Sequence, residues 1–308
     1  MSRLKTMARN ECGVPPLAGG HSLCQGCGIP IVVRVVLDSI PGRKVVVNAT
    51  GCLEVATTRY PSTAWTVPWL HVAFENTAAV ASGVESAYRA LHRRHALDEE
   101  ITFVAFAGDG GTYDIGLQAL SGALERGHRL VFCCYDNEAY MNTGVQRSGA
   151  TPFGASTTTS PSGTVGLGKM QQRKDMTAIA IAHHIPYVGQ GCAAHWYDLS
   201  KKAQRAGAAH GPAFLNVLSD CPVGWGHEPR EFKRILDAAV ESRFWPLYEV
   251  VDGEYHLTYE PVDRIPVAEW LRGQKRFEHL FAPENADLLT YVQRRIDEDW
   301  EALLALCV

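Results

Sequence analysis

The run 101-ITFVAFA-107 and the turn that follows it, 108-GDGGTYDIG-116, constrain this chain more than any other stretch. The run is short, apolar and partly β-branched or aromatic, which predicts a buried strand. Ile115, Leu117, Leu120 and Leu124 then follow near helical spacing and predict a helix over 115–124. Gly108–Gly111 is thus expected at a strand-to-helix turn, and in open α/β sheets ligands bind just beyond the carboxyl ends of the strands. Glycines there let a ligand approach the backbone, and a helix N-terminus favours an anion. A lone acid in the same turn, Asp109, does not suit a bare phosphate. It suits a phosphate that brings its own cation.

The same rhythm recurs along the chain. Residues 44–48 and 130–135 are short β-rich runs that end in 49-ATGC-52 and 136-DNEAYMNTG-144. Helices are expected over 76–95, 175–182 and 198–208, with a short strand at 187–188 and a last buried strand over 213–218 that ends in 219-SDCPVGWGH-227. Residues 61–74, aromatic with two prolines, read as a loop that packs or covers something. Residues 147–170 read as a long loop of the kind that is often functional. After residue 228 the chain is more charged, and a helical and extended tail is expected. Alternating strands and helices point to a doubly wound, mainly parallel α/β sheet.

Asn137 lies 28 residues after Asp109, which is one helix plus one strand, so both turns can occupy one sheet edge. A carboxylate, an amide oxygen and a backbone carbonyl are hard oxygen ligands of the kind Mg²⁺ prefers. Two diphosphate oxygens and a water would complete an octahedron.

Gly108-Asp109-Gly110 with Asn137 at this spacing resembles the thiamine-diphosphate-binding signature. The continuation 138-EAYMNTGVQRSGATPFG-154 is similar to the β subunit of the pyruvate:ferredoxin oxidoreductase family. The resemblance covers almost the whole chain and includes 245-WPLYEVVDGEYHLTY-259. It implies the thiamine-diphosphate-binding fold, with Asp109, the Asn137 side chain and the Ala139 carbonyl as Mg²⁺ ligands. Gly108, Asp109, Gly110, Gly111, Asn137, Glu138, Ala139, Tyr140, Met141 and Asn142 would line the cofactor together with Cys52, and Asn142 would sit near the substrate as the catalytic candidate. Ile29 departs from the pattern, since some relatives carry a glutamate near thiamine there. Residues 1–228 are then the thiamine-binding domain with a cluster loop, and 229–308 an extension that packs on it or on a partner subunit.

The chain has nine cysteines, many for a sequence without a recognisable leader, and metal or redox chemistry explains them better than a disulfide framework. Cys24 and Cys27 lie in an N-terminal loop, and Cys52 and Cys221 follow two of the expected strands. Spacing alone admits either a [4Fe–4S] cluster or a structural Zn²⁺. Proximity to thiamine favours iron, because zinc has no redox chemistry. HSLCQGCG, NATGCLEV and SDCPVGW also resemble the family's cluster-ligating motifs. Cys133 and Cys134 read as buried hydrophobes and Cys192 and Cys307 as free thiols; Cys12 has no assigned role. Glu54 could serve the cofactor surroundings or a helix end. His71, Glu75, Trp65, Trp69, His183 and His184 read mainly as packing, helix-end or contact residues.

The resemblance implies oxidative decarboxylation of a 2-oxo acid to acyl-CoA and CO₂, with electrons passed through one [4Fe–4S] cluster to ferredoxin or another acceptor. Pyruvate is the default substrate; aryl (phenylglyoxylate), branched-chain 2-oxo acids and oxalate are the alternatives. The glutamate that activates thiamine would come from an α-type subunit, with γ- or δ-type subunits carrying further clusters. A formal net charge of −4 and a pI near 6.3 argue against a nucleic-acid surface. The first residues lack a long apolar core, so neither a signal peptide nor a membrane span is expected, which suits the cytoplasm. Three rivals fit less well. A non-oxidative thiamine carboligase needs no placed cysteines, and a zinc scaffold needs no Asp109 with Asn137. A dinucleotide-binding Rossmann protein needs a G-x-G-x-x-G turn that GDGGTYDIG does not supply.

Overall fold

A computed structural model describes residues 14–163 and 166–307, so Cys12 lies outside the described residues. Its centre is one eight-stranded sheet. The strands are β1 (Arg43–Ala49), β2 (Trp69–Val72), β3 (Ile101–Gly108), β4 (Leu130–Asp136), β5 (Tyr187–Cys192), β6 (Ala213–Leu218), β7 (Leu247–Val251) and β8 (Glu254–Tyr259). They lie in the order β2-β1-β3-β4-β6-β5-β7-β8, and the first six are parallel. β7 and β8 are antiparallel additions at one edge.

Both faces of the sheet are covered, which is why its strands read as continuous apolar runs. Successive side chains of β3 enter opposite layers: Val104 and Phe106 on one face, Phe103, Ala105 and Ala107 on the other. The first layer is closed by helices α1 (Ile29–Ser39) and α6 (Trp196–Ala208). The second is closed by α3 (Thr77–Arg93), α4 (Leu117–Glu125) and α5 (Met176–Ile181). The short helix α2 (Cys52–Thr57) leaves the end of β1, while α7 (Phe232–Glu241), α8 (Val267–Arg272) and α9 (Ala286–Leu306) come from the C-terminal part.

Three differences from the sequence reading have local causes. Residues 61–74 contain a strand, because Trp69–Val72 pairs with Val46–Ala49 once Pro68 is passed. The helix expected from residue 115 begins at Leu117, because Gly110–Asp114 forms a wide π turn in which Ile115 N–H bonds to the Gly110 carbonyl. Ala213–Leu218 is not the last buried strand. Leu247–Val251 is buried too, and its polar Glu249 is tolerated because the Tyr187 hydroxyl donates to it at 2.6 Å and Arg205 pairs with it. The Asp175 side chain caps α5 by accepting from Ala178 N–H at 2.9 Å.

The register aligns the carboxyl ends of the central strands. Asn48 stands opposite Phe106, Gly108 opposite Tyr135, and Asp136 opposite Leu218. The turns after β1, β3, β4 and β6 therefore share one edge. Leu215, fully buried in β6, fills the space that a side chain at Gly189 would need. Leu215→Ala should cost about 2–5 kcal/mol, read as a lower urea midpoint with an unchanged slope.

Candidate active site

A cleft at this edge is lined by Thr50, Gly51 and Cys52 after β1, Gly108–Gly110 after β3, and Asn137 with Ala139–Thr143 after β4, with Phe74 and Tyr135 closing its sides. Gly110 is required by contact: a Cβ there would lie 2.2 Å from the Tyr140 ring. Tyr140 donates to the Gly110 carbonyl at 3.3 Å and to Asp114 at 3.2 Å, and its ring packs against Phe74 at 5.6 Å.

Asp109 is buried at the floor of the cleft. Ser148 Oγ donates to its Oδ2 at 2.5 Å and Asn137 N–H to its Oδ1 at 3.4 Å. Burial, and secondarily the charge of Asp136, holds its carboxyl well above the usual range. Among the described residues it makes no ion pair. One end of the Asn137 amide lies 2.9 Å from both Asp109 Oδ1 and the Ala139 carbonyl oxygen. With nitrogen at that end it donates to both. With oxygen there, three oxygens converge, and a cation is what satisfies them. This set fits Mg²⁺.

The neighbouring carboxylates face the other way. Glu138 was expected to line the cofactor, but its side chain is fully buried and paired with Arg173, at 3.1 Å, and with Arg276. Asp136 pairs with Arg173 at 2.7 Å and accepts from the Tyr113 hydroxyl at 2.6 Å. Gly111 packs beneath the cleft against Phe74 and is not on its wall.

Cys24, Cys27, Cys52 and Cys221 are free thiols, and Cys52 lines the cleft. Burial raises the pKa of the Cys52 thiol to about 12, and the neighbouring Cys221 and Cys24 add to the rise. Burial also raises Cys27 and Cys221, and each feels at least one other cysteine of the set. No three His, Cys, Asp or Glu side chains among the described residues converge as ligands of a single ion. Gly224 N–H points at Cys221 Sγ, at 3.3 Å, as donors to cluster sulfurs do. Gly26, at φ +79°, seats the Cys24–Cys27 turn where any Cβ would strike Pro229.

Of the remaining candidates, Trp65 and Trp69 stack on each other at 5.8 Å and do not line the cleft. His71 bonds Thr50 Oγ1 at 2.7 Å and Glu54 lies in the first turn of α2, so both stand near the mouth without lining it. Cys133, Cys134 and Cys192 are buried, and His183 and His184 follow α5. Thr50, Phe74, Tyr135 and Ser148 were not singled out from sequence. Only Thr50 carried a signal, its place directly after a strand.

The model of the thiamine pyrophosphate enzyme C-terminal TPP binding domain matches residues 49–217, which defines the class. The pyruvate synthase subunit PorB of Methanothermobacter thermautotrophicus is 51% identical over 276 residues, 90% of this chain and 94% of its own. The ketoisovalerate oxidoreductase subunit VorB of Pyrococcus abyssi is 38% identical, covering 93% of this chain and 92% of its own. A 2-oxoglutarate:ferredoxin oxidoreductase from Magnetococcus marinus shares the fold, with a TM-score of 0.55 at 20% identity over 66% of this chain and 65% of that one. This chain belongs to the β-subunit family of the pyruvate:ferredoxin oxidoreductases and is one subunit of a multi-subunit 2-oxoacid oxidoreductase. No helix among the described residues is long and apolar enough to cross a membrane.

Folding favours the protonated form of Asp109, so its stabilising effect in the cofactor-free chain is present at acid pH and is lost as pH rises through the raised value. Asp109→Asn should therefore raise the unfolding temperature of the cofactor-free chain, by a margin that grows with pH. A scanning calorimetry series across pH checks the sign.

Proposed function

We propose that this chain is the thiamine-binding β subunit of a cytoplasmic pyruvate:acceptor oxidoreductase that forms acetyl-CoA and CO₂ and passes two electrons, one at a time, to ferredoxin or a comparable carrier. The observation that supports this best is a shared edge: the unpaired Asp109 carboxyl with its oxygen partners shares one edge of a parallel sheet with Cys52 and Cys221, and Cys24 and Cys27 lie near enough to be felt by them.

In this reading Asp109, Asn137 and the Ala139 carbonyl hold Mg²⁺ and through it the diphosphate. Cys24, Cys27, Cys52 and Cys221 hold one [4Fe–4S] cluster. When bound, thiamine diphosphate supplies the decarboxylation of the 2-oxo acid, and the cluster supplies one-electron uptake. The residues of the chain bind and orient. Gly110 leaves room for the Tyr140 ring, and Tyr140 with Phe74 walls the cleft from water. Met141, Asn142 and Thr143 form the rim, where Asn142 and Thr50 face an incoming substrate. Cys52 lies in both the cleft wall and the thiol set, which keeps the electron path short.

Among the described residues, no carboxylate other than Asp109 lines the cleft. The acid that activates the thiamine ring is therefore expected from an α-type subunit, with γ- or δ-type subunits carrying electrons onward. Pyruvate is favoured over branched-chain 2-oxo acids because the PorB relative is 51% identical and the VorB relative 38%.

The anaerobically purified complex should contain iron and acid-labile sulfide in equal amounts and no stoichiometric zinc. One zinc with no sulfide would overturn the oxidoreductase reading. Cys221→Ser should remove about four iron per β subunit, since one thiolate of the set is lost. Asp109→Asn should abolish Mg²⁺-dependent thiamine diphosphate binding in calorimetric titration. A panel of 2-oxo acids with coenzyme A then tests the substrate: faster turnover of 2-oxoisovalerate than of pyruvate would move the assignment to the branched-chain class.

A further inference from the structure

The loop that carries Cys221 and the loop that carries Asn137 and Ala139 are joined by side chains that line neither the cleft nor the thiol set. Trp225, fully buried in the turn Pro222–Gly226, donates its indole N–H to the Asn137 carbonyl at 2.8 Å. Over its ring lies the guanidinium of Arg276, with Cζ 4.2 Å from the centroid. That guanidinium also pairs with Glu138, and Gln274 Oε1 accepts from its Nε at 2.9 Å and its Nη2 at 2.6 Å. The Arg276 carbonyl accepts from Ser156 N–H at 2.9 Å, so its backbone is held as well. One side chain from the C-terminal segment therefore touches both loops.

This arrangement does more than fill space. Glu138 has φ +69°, which is uncommon for a residue with a side chain and persists only where its surroundings enforce it. Its N–H donates to Asp136 Oδ1 at 3.0 Å and its carbonyl accepts from Thr151 Oγ1 at 2.6 Å. Because Glu138 stands between Asn137 and Ala139, the peptide planes it fixes decide where the Asn137 amide and the Ala139 carbonyl point. Arg173 also holds Glu138, but its other partners are Asp136 and Tyr113, which lie in β4 and the π turn. Arg276 is the arginine that reaches the cysteine loop. On that loop Gly224, next to Trp225, donates to Cys221 Sγ. Hydrogen bonds to ligating sulfurs tune the potential of a cluster.

We propose that Arg276 and Trp225 are positioning residues that couple the two cofactor loops. They fix the oxygen ligands of the Mg²⁺-diphosphate and the hydrogen bond on Cys221 as one unit. Filling the diphosphate site then shifts the properties of the cluster, and the coupling is reciprocal. This rests on the function proposed above, since it needs both groups bound.

The test uses the assembled complex, depleted of thiamine diphosphate and kept anaerobic. Trp225→Phe keeps a ring and removes one hydrogen bond; Arg276→Lys keeps the charge and removes the planar stack. Each should raise the Kd for Mg²⁺-thiamine diphosphate about tenfold, the scale set by losing one buried hydrogen bond. Each should also shift the midpoint potential of the cluster, whose electron paramagnetic resonance signal is identified by its loss in Cys221→Ser. A purely structural role would lower the unfolding temperature and leave both readouts of the folded complex unchanged. Folded variants with wild-type values at both sites overturn the coupling, and so does movement at one site alone. Trp225→Phe is the milder change and carries the test if Arg276→Lys fails to assemble. A wild-type complex that binds no thiamine diphosphate, or has no signal lost in Cys221→Ser, overturns the functional reading itself, and the wild type alone reveals it.

Discussion

Three carboxylates, Asp109, Asp136 and Glu138, end up almost wholly buried at the ends of two neighbouring strands, and how each is satisfied organises the edge of the sheet. An uncompensated buried charge costs several kcal/mol. Asp136 and Glu138 escape that cost through Arg173 and Arg276, with Tyr113 as a further donor. Asp109 receives one hydroxyl and one backbone N–H, both neutral. The protein thus neutralises two of the three acids from within and leaves the one that faces the cleft. In the proposed function, a divalent cation with its anionic ligand completes this balance.

The same arginines explain why the C-terminal part cannot be treated as an accessory. Arg276 follows α8 and reaches Glu138 across 138 residues of sequence, while β7 extends the sheet beyond β5. Phe277 and Trp270 pack around the Arg276 guanidinium, at 4.9 and 5.9 Å from its Cζ, so the ion pair sits in an aromatic casing. Low dielectric there strengthens each hydrogen bond it makes. Loop positions that would be mobile if solvated are fixed from behind.

What the sequence made legible was local. The apolar run 101–107, the glycine turn and the one-helix-one-strand spacing to Asn137 are short-range patterns, and each maps onto β3, the turn after it and the end of β4. The cysteines were legible as a set because two of them directly follow strands. Trp69–Val72 was hidden because four residues between Pro68 and the short turn at 73–76 give no usable period, and only pairing with β1 makes them a strand. Glu138 could not be separated from its neighbours as a cofactor contact, since its direction depends on a left-handed backbone and on arginines 35 and 138 residues away. Arg276 carried no signal, and Trp225 entered only as the end of the SDCPVGW motif, because neither belongs to a spacing pattern of its own. Their meaning comes from long-range contact.

In the proposed function, strand order also accounts for electron chemistry beside thiamine chemistry. β3 and β4, which lead into the turns of Asp109 and of Asn137 and Ala139, are flanked directly by β1 and β6, which lead into Cys52 and Cys221. The two cysteines therefore approach from opposite sides, and the Cys24–Cys27 turn closes the gap by seating Gly28 against Ser219 and Asp220, where a Cβ would lie 2.8 Å from each side chain. A cluster held in this way would be fixed to both flanks of the Asp109 turn, so it could not shift without disturbing that turn. In the proposed reaction this rigidity is useful: electrons leave the cofactor over a distance set by the sheet itself, while the substrate side of the cleft stays open for a partner subunit to complete.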